Sequence, residues 1–173
     1  MLKKILIGLG VVVAGILVWY FIYVQIYKMD VIDTSEINKP DLDTKVLIAS
    51  QGSEFKNTLV EKLTNDLKSK PCYIKIVDAT TLADQTCEGW NAVVILHTTE
   101  WYKAPKAVHT FLDNARDLGK VFLVTTAGDE ETRLDYTVDA VTSSSVMEEI
   151  DAISKKVLDK INTTIPAAQP DSI

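Results

Sequence analysis

Arginine is almost missing from this chain: Arg116 and Arg133 are the only two among 173 residues. Two-pronged recognition of phosphate or carboxylate leans on arginine, so an arginine clamp is disfavoured. The formal net charge is −6. Nucleic-acid binding needs a basic footprint, and this balance argues against it. Histidine is equally scarce. His97 and His109 are the only two, and no Cys, Asp or Glu joins either at metal-ligand spacing. Cys72 and Cys87 are the only cysteines and form no C-x-x-C pair. No G-x-S-x-G occurs, and both cysteines precede strand-like runs, so a hydrolase nucleophile on a strand-to-helix turn is a poor reading.

What the chain does have is one long apolar run. From residue 5 to residue 27 no side chain is charged, and Gln25 is the only amide. Roughly 20 apolar residues cross a bilayer core as a helix. Lys3 and Lys4 precede the run, and Trp19, Tyr20, Tyr23 and Tyr27 crowd its far half, as an interfacial aromatic belt does. A cleaved leader has a shorter apolar region and ends in small residues. Residues 1–27 therefore read as an uncleaved transmembrane signal anchor. The small excess of lysine before the run points the amino end inward and the rest outward, to an extracytoplasmic location.

Residues 28–44 are acidic, poor in apolar residues and contain Pro40, which reads as a linker. Residues 163–173 contain two prolines and read as a flexible tail. Between them, residues 45–162 have the size of one domain. Apolar runs at 45–50, 92–98 and 120–127 read as buried strands; 73–79 alternates and reads as a strand with one better-covered face, an edge candidate. Between them, Phe55, Leu59, Val60, Leu63 and Leu67 fall on one helical face. So do Val108, Phe111, Leu112, Ala115 and Leu118, in a helix punctuated by Pro105 and Gly119. Val146, Ile150, Ile153, Val157 and Ile161 mark a last helix. Strands alternating with helices predict a mainly parallel sheet. Residues 128–135 are too short for a parallel crossover, so the strand at 136–142 is expected to pair loosely or antiparallel.

Three stretches carry a family resemblance: "KVLIASQGSEFKNTLVEKL", "HTTEWYKAPK" and "TTAGDE". Together they resemble a flavodoxin-like domain over most of residues 45–162. The resemblance implies an α/β open parallel sheet of order 2-1-3-4-5 with helices on both faces. It also implies flavin mononucleotide (FMN) in the crevice and electron transfer with a redox partner protein. By position, Ser50, Gln51, Gly52, Ser53, Asn57 and Thr58 fall in the phosphate loop. Trp101 and Tyr102 fall in the first ring loop, and Gly128 and Asp129 in the second. A helix amino terminus suits a phosphate, and aromatic rings stack on a flavin. The loop departs from the family's T-x-T-G-x-T, however. Ser53 also reads as an N-cap and Glu54 as a first-turn acid. The alternative is a flavin-free domain that binds a partner protein at the membrane.

Two further readings depend on the resemblance. Residues 139–145 resemble the flavinylation motif of periplasmic flavin proteins, with Ser145 at the acceptor position; Ser145 and Glu148 also read as a capping box. In the implied strand order Cys72 and Cys87 sit at the amino-terminal end of the sheet. An irregular loop could bring them into a disulfide, worth roughly 3 kcal/mol and available only in an oxidising compartment.

Overall fold

The computed structural model describes residues 2–27, 29–99, 103–127 and 138–165. The chain divides into two compact units, Met1–Asp30 and Val31–Ile173. The first is the helix α1, Leu2–Tyr27. Its stretch Lys3–Gln25, with mean hydropathy 2.6, is long and apolar enough to cross a membrane.

The second unit is built on one six-stranded sheet. Its strands are β1 (Ser35–Ile37), β2 (Thr44–Ser50), β3 (Cys72–Asp78), β4 (Ala92–Thr98), β5 (Val121–Thr126) and β6 (Asp139–Ser143), in the order β1-β3-β2-β4-β5-β6. β2, β3, β4, β5 and β6 are all parallel. β1 alone runs antiparallel, against β3. The helices α2 (Glu54–Leu67) and α4 (Ile150–Thr164) cover one face: Leu59, Leu63, Leu67, Ile153, Val157 and Ile161 join Val46, Ile48, Val94 and Val124 in one apolar cluster. The helix α3 (Lys106–Asn114) and a 3-10 turn at Ala79–Asp84 cover the other, with Leu82, Val108, Phe111 and Leu112 against Leu47, Val93, Ile95 and Leu123. Each such side chain taken fully out of water contributes about 1.5–3 kcal/mol.

Several expectations are corrected. The linker expected over 28–44 is in part domain: Ser35–Ile37 is the edge strand, and Ile32 and Ile37 pack against the core. β3 is therefore covered on both sides and is not an edge. β6 pairs parallel with β5 in full register, neither loose nor antiparallel. It starts at Asp139, which leaves residues 127–138 for the crossover, about the dozen that a parallel connection needs. α3 stops at Asn114 instead of reaching Gly119. The Asp117 carboxylate accepts from Gly119 N (3.0 Å) and holds a separate 3-10 turn there.

The capping box is also absent. Val146 precedes a 3-10 turn at Met147–Glu149, and neither that turn nor α4 has a side-chain cap. Ser143 does the local work: its hydroxyl accepts from Ser145 N (3.0 Å) and donates to the Glu149 carboxylate (2.6 Å). Finally, Cys72 and Cys87 are both buried free thiols. Cys72 packs under α2 and α4, Cys87 under the Ala79–Asp84 turn, so the sheet itself separates them.

Candidate functional site

Brought together by the parallel register, the carboxyl ends of the strands are where a ligand crevice lies in open α/β sheets. In this chain they are rich in hydroxyls. Thr98, Thr126 and Ser143 stand in register across β4, β5 and β6. Period-two alternation puts them on the same face as Leu96, Val124 and Val141, beneath α2 and α4. Ser50 ends β2 on that face and is fully buried. His97 and Thr125 end the same strands on the opposite face, towards α3.

Into the hydroxyl row reaches Lys56, in the first turn of α2. Its side chain is only 1% exposed. Its ammonium donates to Thr98 Oγ1 at 2.9 Å and towards Thr126 Oγ1 at 3.4 Å. The Thr126 hydroxyl donates onward to the His97 carbonyl oxygen (3.3 Å), and the Thr98 and Thr126 oxygens are 2.7 Å apart. Burial lowers the Lys56 ammonium to about 8.

On the other face His97 is fully buried. Its Nε2 lies 3.1 Å from the Thr125 hydroxyl and its Nδ1 3.4 Å from the Thr98 carbonyl oxygen. A carbonyl only accepts, so Nδ1 carries the proton and Nε2 accepts from Thr125. Burial lowers the imidazole to about 4; the bond to Thr98 opposes this and the charge of Lys56 reinforces it. At neutral pH His97 is uncharged.

The expected phosphate-loop residues do not converge. Gln51 turns inward: its N–H donates to Leu96 O (3.0 Å) and its side-chain oxygen accepts from Thr98 N (2.6 Å). Ser50 Oγ donates to Gln51 O. Ser53 is the N-cap of α2, accepting from Lys56 N (3.3 Å), and Glu54 is an exposed first-turn acid beside it. Gly52 is buried between them. Asn57 and Thr58 point away from the loop. Asn57 lines a groove towards β1, and the Thr58 hydroxyl donates to Glu54 O (2.9 Å). Trp101, Tyr102, Gly128 and Asp129 lie outside the described residues. Among the described residues no His, Cys, Asp or Glu cluster suits a metal ion.

Sequence reasoning missed Lys56, Thr98, Thr125 and Thr126. The signal was present. Lys56 lies three residues before Leu59 and seven before Leu63, on the apolar stripe of α2, where a charge is out of place. Two Thr pairs, Thr98-Thr99 and Thr125-Thr126, end two neighbouring strands.

The parallel strands β3, β2, β4, β5 and β6, numbered by themselves, run in the order 2-1-3-4-5. The fold is flavodoxin-like. Solved structures similar to it include the flavodiiron core Flv1 from Synechocystis sp., with 13% identity, TM-score 0.48, and coverage of 72% of this chain and 36% of that one. The flavodoxin-like chain thus spans about a third of that relative's length. A flavodoxin from the domain Archaea has 10% identity and TM-score 0.47, covering 70% of this chain and 99% of that one. An NADH:FMN oxidoreductase in its apo form has 11% identity and TM-score 0.49, covering 75% and 93%. At such identities the likeness concerns the fold and not the chemistry. No family model matches the chain, and no curated protein matches it.

Proposed function

We propose that this chain is a membrane-anchored flavodoxin-like domain that works without flavin, as a protein-interaction module at the membrane surface. One observation carries the reading: the polar groups expected to cradle the FMN phosphate are already engaged within the chain. Gln51 bridges to β4, Ser53 caps α2, and Asn57 and Thr58 face elsewhere. Glu54 brings negative charge to the helix end that a phosphate dianion would need. The nearby buried cation, Lys56, donates to the β4 and β5 hydroxyls. These engagements support a crevice whose phosphate half is not arranged for FMN. The small lysine bias around α1 supports an extracytoplasmic domain. Because they lie on opposite faces of the sheet, the cysteines carry no information on the compartment.

A second reading, FMN-dependent electron transfer with a redox partner, keeps one favourable observation. The loop after β2 lies at the topological switch point, where the strand order reverses. Titrating FMN into the detergent-solubilised full chain separates the two. Flavin fluorescence unchanged into high micromolar protein supports the flavin-free module. Saturable quenching overturns it in favour of the electron carrier.

A further inference from the structure

We propose that the groove between the second half of α2 and the turn that opens α4 is a docking site for a cationic amphipathic helix of a partner protein. The proposal deepens the interaction-module reading, on which it rests for the existence of a partner, by giving that partner its chemistry.

The groove has a volume of about 530 Å³ and follows α2 from residue 58 to residue 66. At about 1.5 Å per residue, that length matches roughly two turns of a second helix. The facing wall is the Met147–Glu149 turn and the start of α4, with Ile150 buried beside Met147. Met147 is 44% exposed. Among the described residues of the second unit, Val31, Val146 and Met147 are the large apolar side chains left exposed, and two of these three are neighbours at this wall. A methionine adapts its unbranched thioether to an incoming apolar surface.

Charge around this apolar wall names the partner. Glu61 and Asp66 of α2 and Glu148 and Asp151 from the other wall put carboxylates along the groove. Lys62 is the one cation that lines it, and it pairs with Asp151 at 3.0 Å. Glu148 and Asp151 suit the start of a helix; Asp66 does not suit its place. It stands in the last turn of α2, which has no basic residue, and there the helix dipole opposes a carboxylate. Helix stability leaves that acid unexplained, and a cation brought by a partner accounts for it. The same acids repel anionic lipid headgroups and nucleic-acid phosphates. Along α2 the main-chain groups are bonded within the helix, so this wall meets an occupant through side chains alone. An extended strand would leave its own main chain unpaired there, whereas a helix satisfies its backbone internally. The occupant is therefore a helix with an apolar stripe for Met147 and lysines or arginines beside it for the acids.

The chain's methionines are Met1, Met29 and Met147, so a spectrum of the full chain in detergent, labelled with carbon-13 at the methionine methyls, reads the groove through one resonance. The probe is a helical peptide of leucines at i, i+3, i+4 and i+7 with lysines between them. It should shift the Met147 resonance saturably. Met1 and Met29, which flank the apolar span in sequence, report insertion into the micelle instead and should hold still. Glu61→Lys with Glu148→Lys, both at exposed positions, should weaken binding at least about tenfold, and added salt should weaken it in the parent. A peptide with glutamate in place of lysine should leave Met147 unmoved. If the reversed variant loses its circular-dichroism signal, Glu61→Gln with Glu148→Gln replaces it, with an expected loss of about threefold. A Met147 resonance that stays put at millimolar lysine peptide overturns the proposal, as does an affinity kept in the folded reversed variant. A Met147 shift that follows protein concentration without peptide assigns the groove to a second copy of the chain and also overturns it. Each failure leaves the flavin titration, which reads the crevice alone, unaffected.

Discussion

Lys56 Nζ and Thr98 Oγ1 meet at 2.9 Å where the first turn of α2 crosses the end of β4. The contact places a cation in an almost dry setting, 1% exposed, and ties the ligand-side end of a central strand to the helix above it. Its chemical consequence is a lysine that titrates early.

That consequence is measurable. Lys56 loses its proton near pH 8 in the folded state and near 10.5 when unfolded. Between those values the unfolded chain binds more protons, so stability rises with pH, by up to about 3 kcal/mol across the window. Urea denaturation of the parent at pH 7.5 and at pH 10 reads the rise as a shift in midpoint. Lys56→Met removes this component; an equal rise in that variant refutes the assignment.

His97 acts in the acid range with the same sign. Its folded value, about 4, lies below the ordinary 6.5. Stability is intact above 6.5 and is lost as pH falls towards 4, again by about 3 kcal/mol. His97→Gln keeps a polar group at the end of β4 and lacks the titration. Its stability should be lower at pH 7, because the Thr125 bond is disturbed, and flatter between pH 6.5 and 4. A variant as steep as the parent places the acid sensitivity elsewhere.

The thiols supply a third test. Cys72 and Cys87 are buried on opposite faces, and burial raises the Cys72 thiol above its usual range, with Lys70 opposing. Neither is expected to react with iodoacetamide in the folded chain within the time that an unfolded control is fully modified. In denaturant without reductant both react. A chain from native membranes that is modified only after reduction contains a disulfide and overturns the free-thiol assignment.

Ser145 gives a prediction about backbone conformation. It holds φ +64, beside the Ser143–Glu149 hydrogen bond that starts the last helix. Glycine adopts that conformation freely, so Ser145→Gly should stabilise the domain by about 0.5–1 kcal/mol. Ser143→Ala should destabilise by about 0.5–1.5 kcal/mol, because it deprives the half-buried Glu149 carboxylate and Ser145 N of their partner. Thermal melts of the two variants should move in opposite directions. A shift in the same direction would mean that the turn is held by something else.

The sequence by itself determined α1 as an apolar span, the alternation of strands and helices, the positions of β2, β3, β4 and β5, and the inner faces of α2 and α4. These are local properties. Periods of two and 3.6 residues record which side of each element meets the core, and a run of apolar residues records its length. Tertiary structure alone decided the rest. Ser35–Ile37 has no strand pattern of its own and becomes a strand because β3 offers an edge. Residues 139–143 pair parallel because the sheet's end at β5 is free and the crossover reaches it. Cys72 and Cys87 are close in sequence, yet Cys72 packs from β3 into the cluster under α2 and α4 while Cys87 packs from a loop into the cluster under the Ala79–Asp84 turn. Lys56 stands on the apolar stripe of α2, but only the ends of β4 and β5 bring Thr98 and Thr126 beneath it. Register between strands is a long-range relation, and a single chain read in order carries no direct record of it.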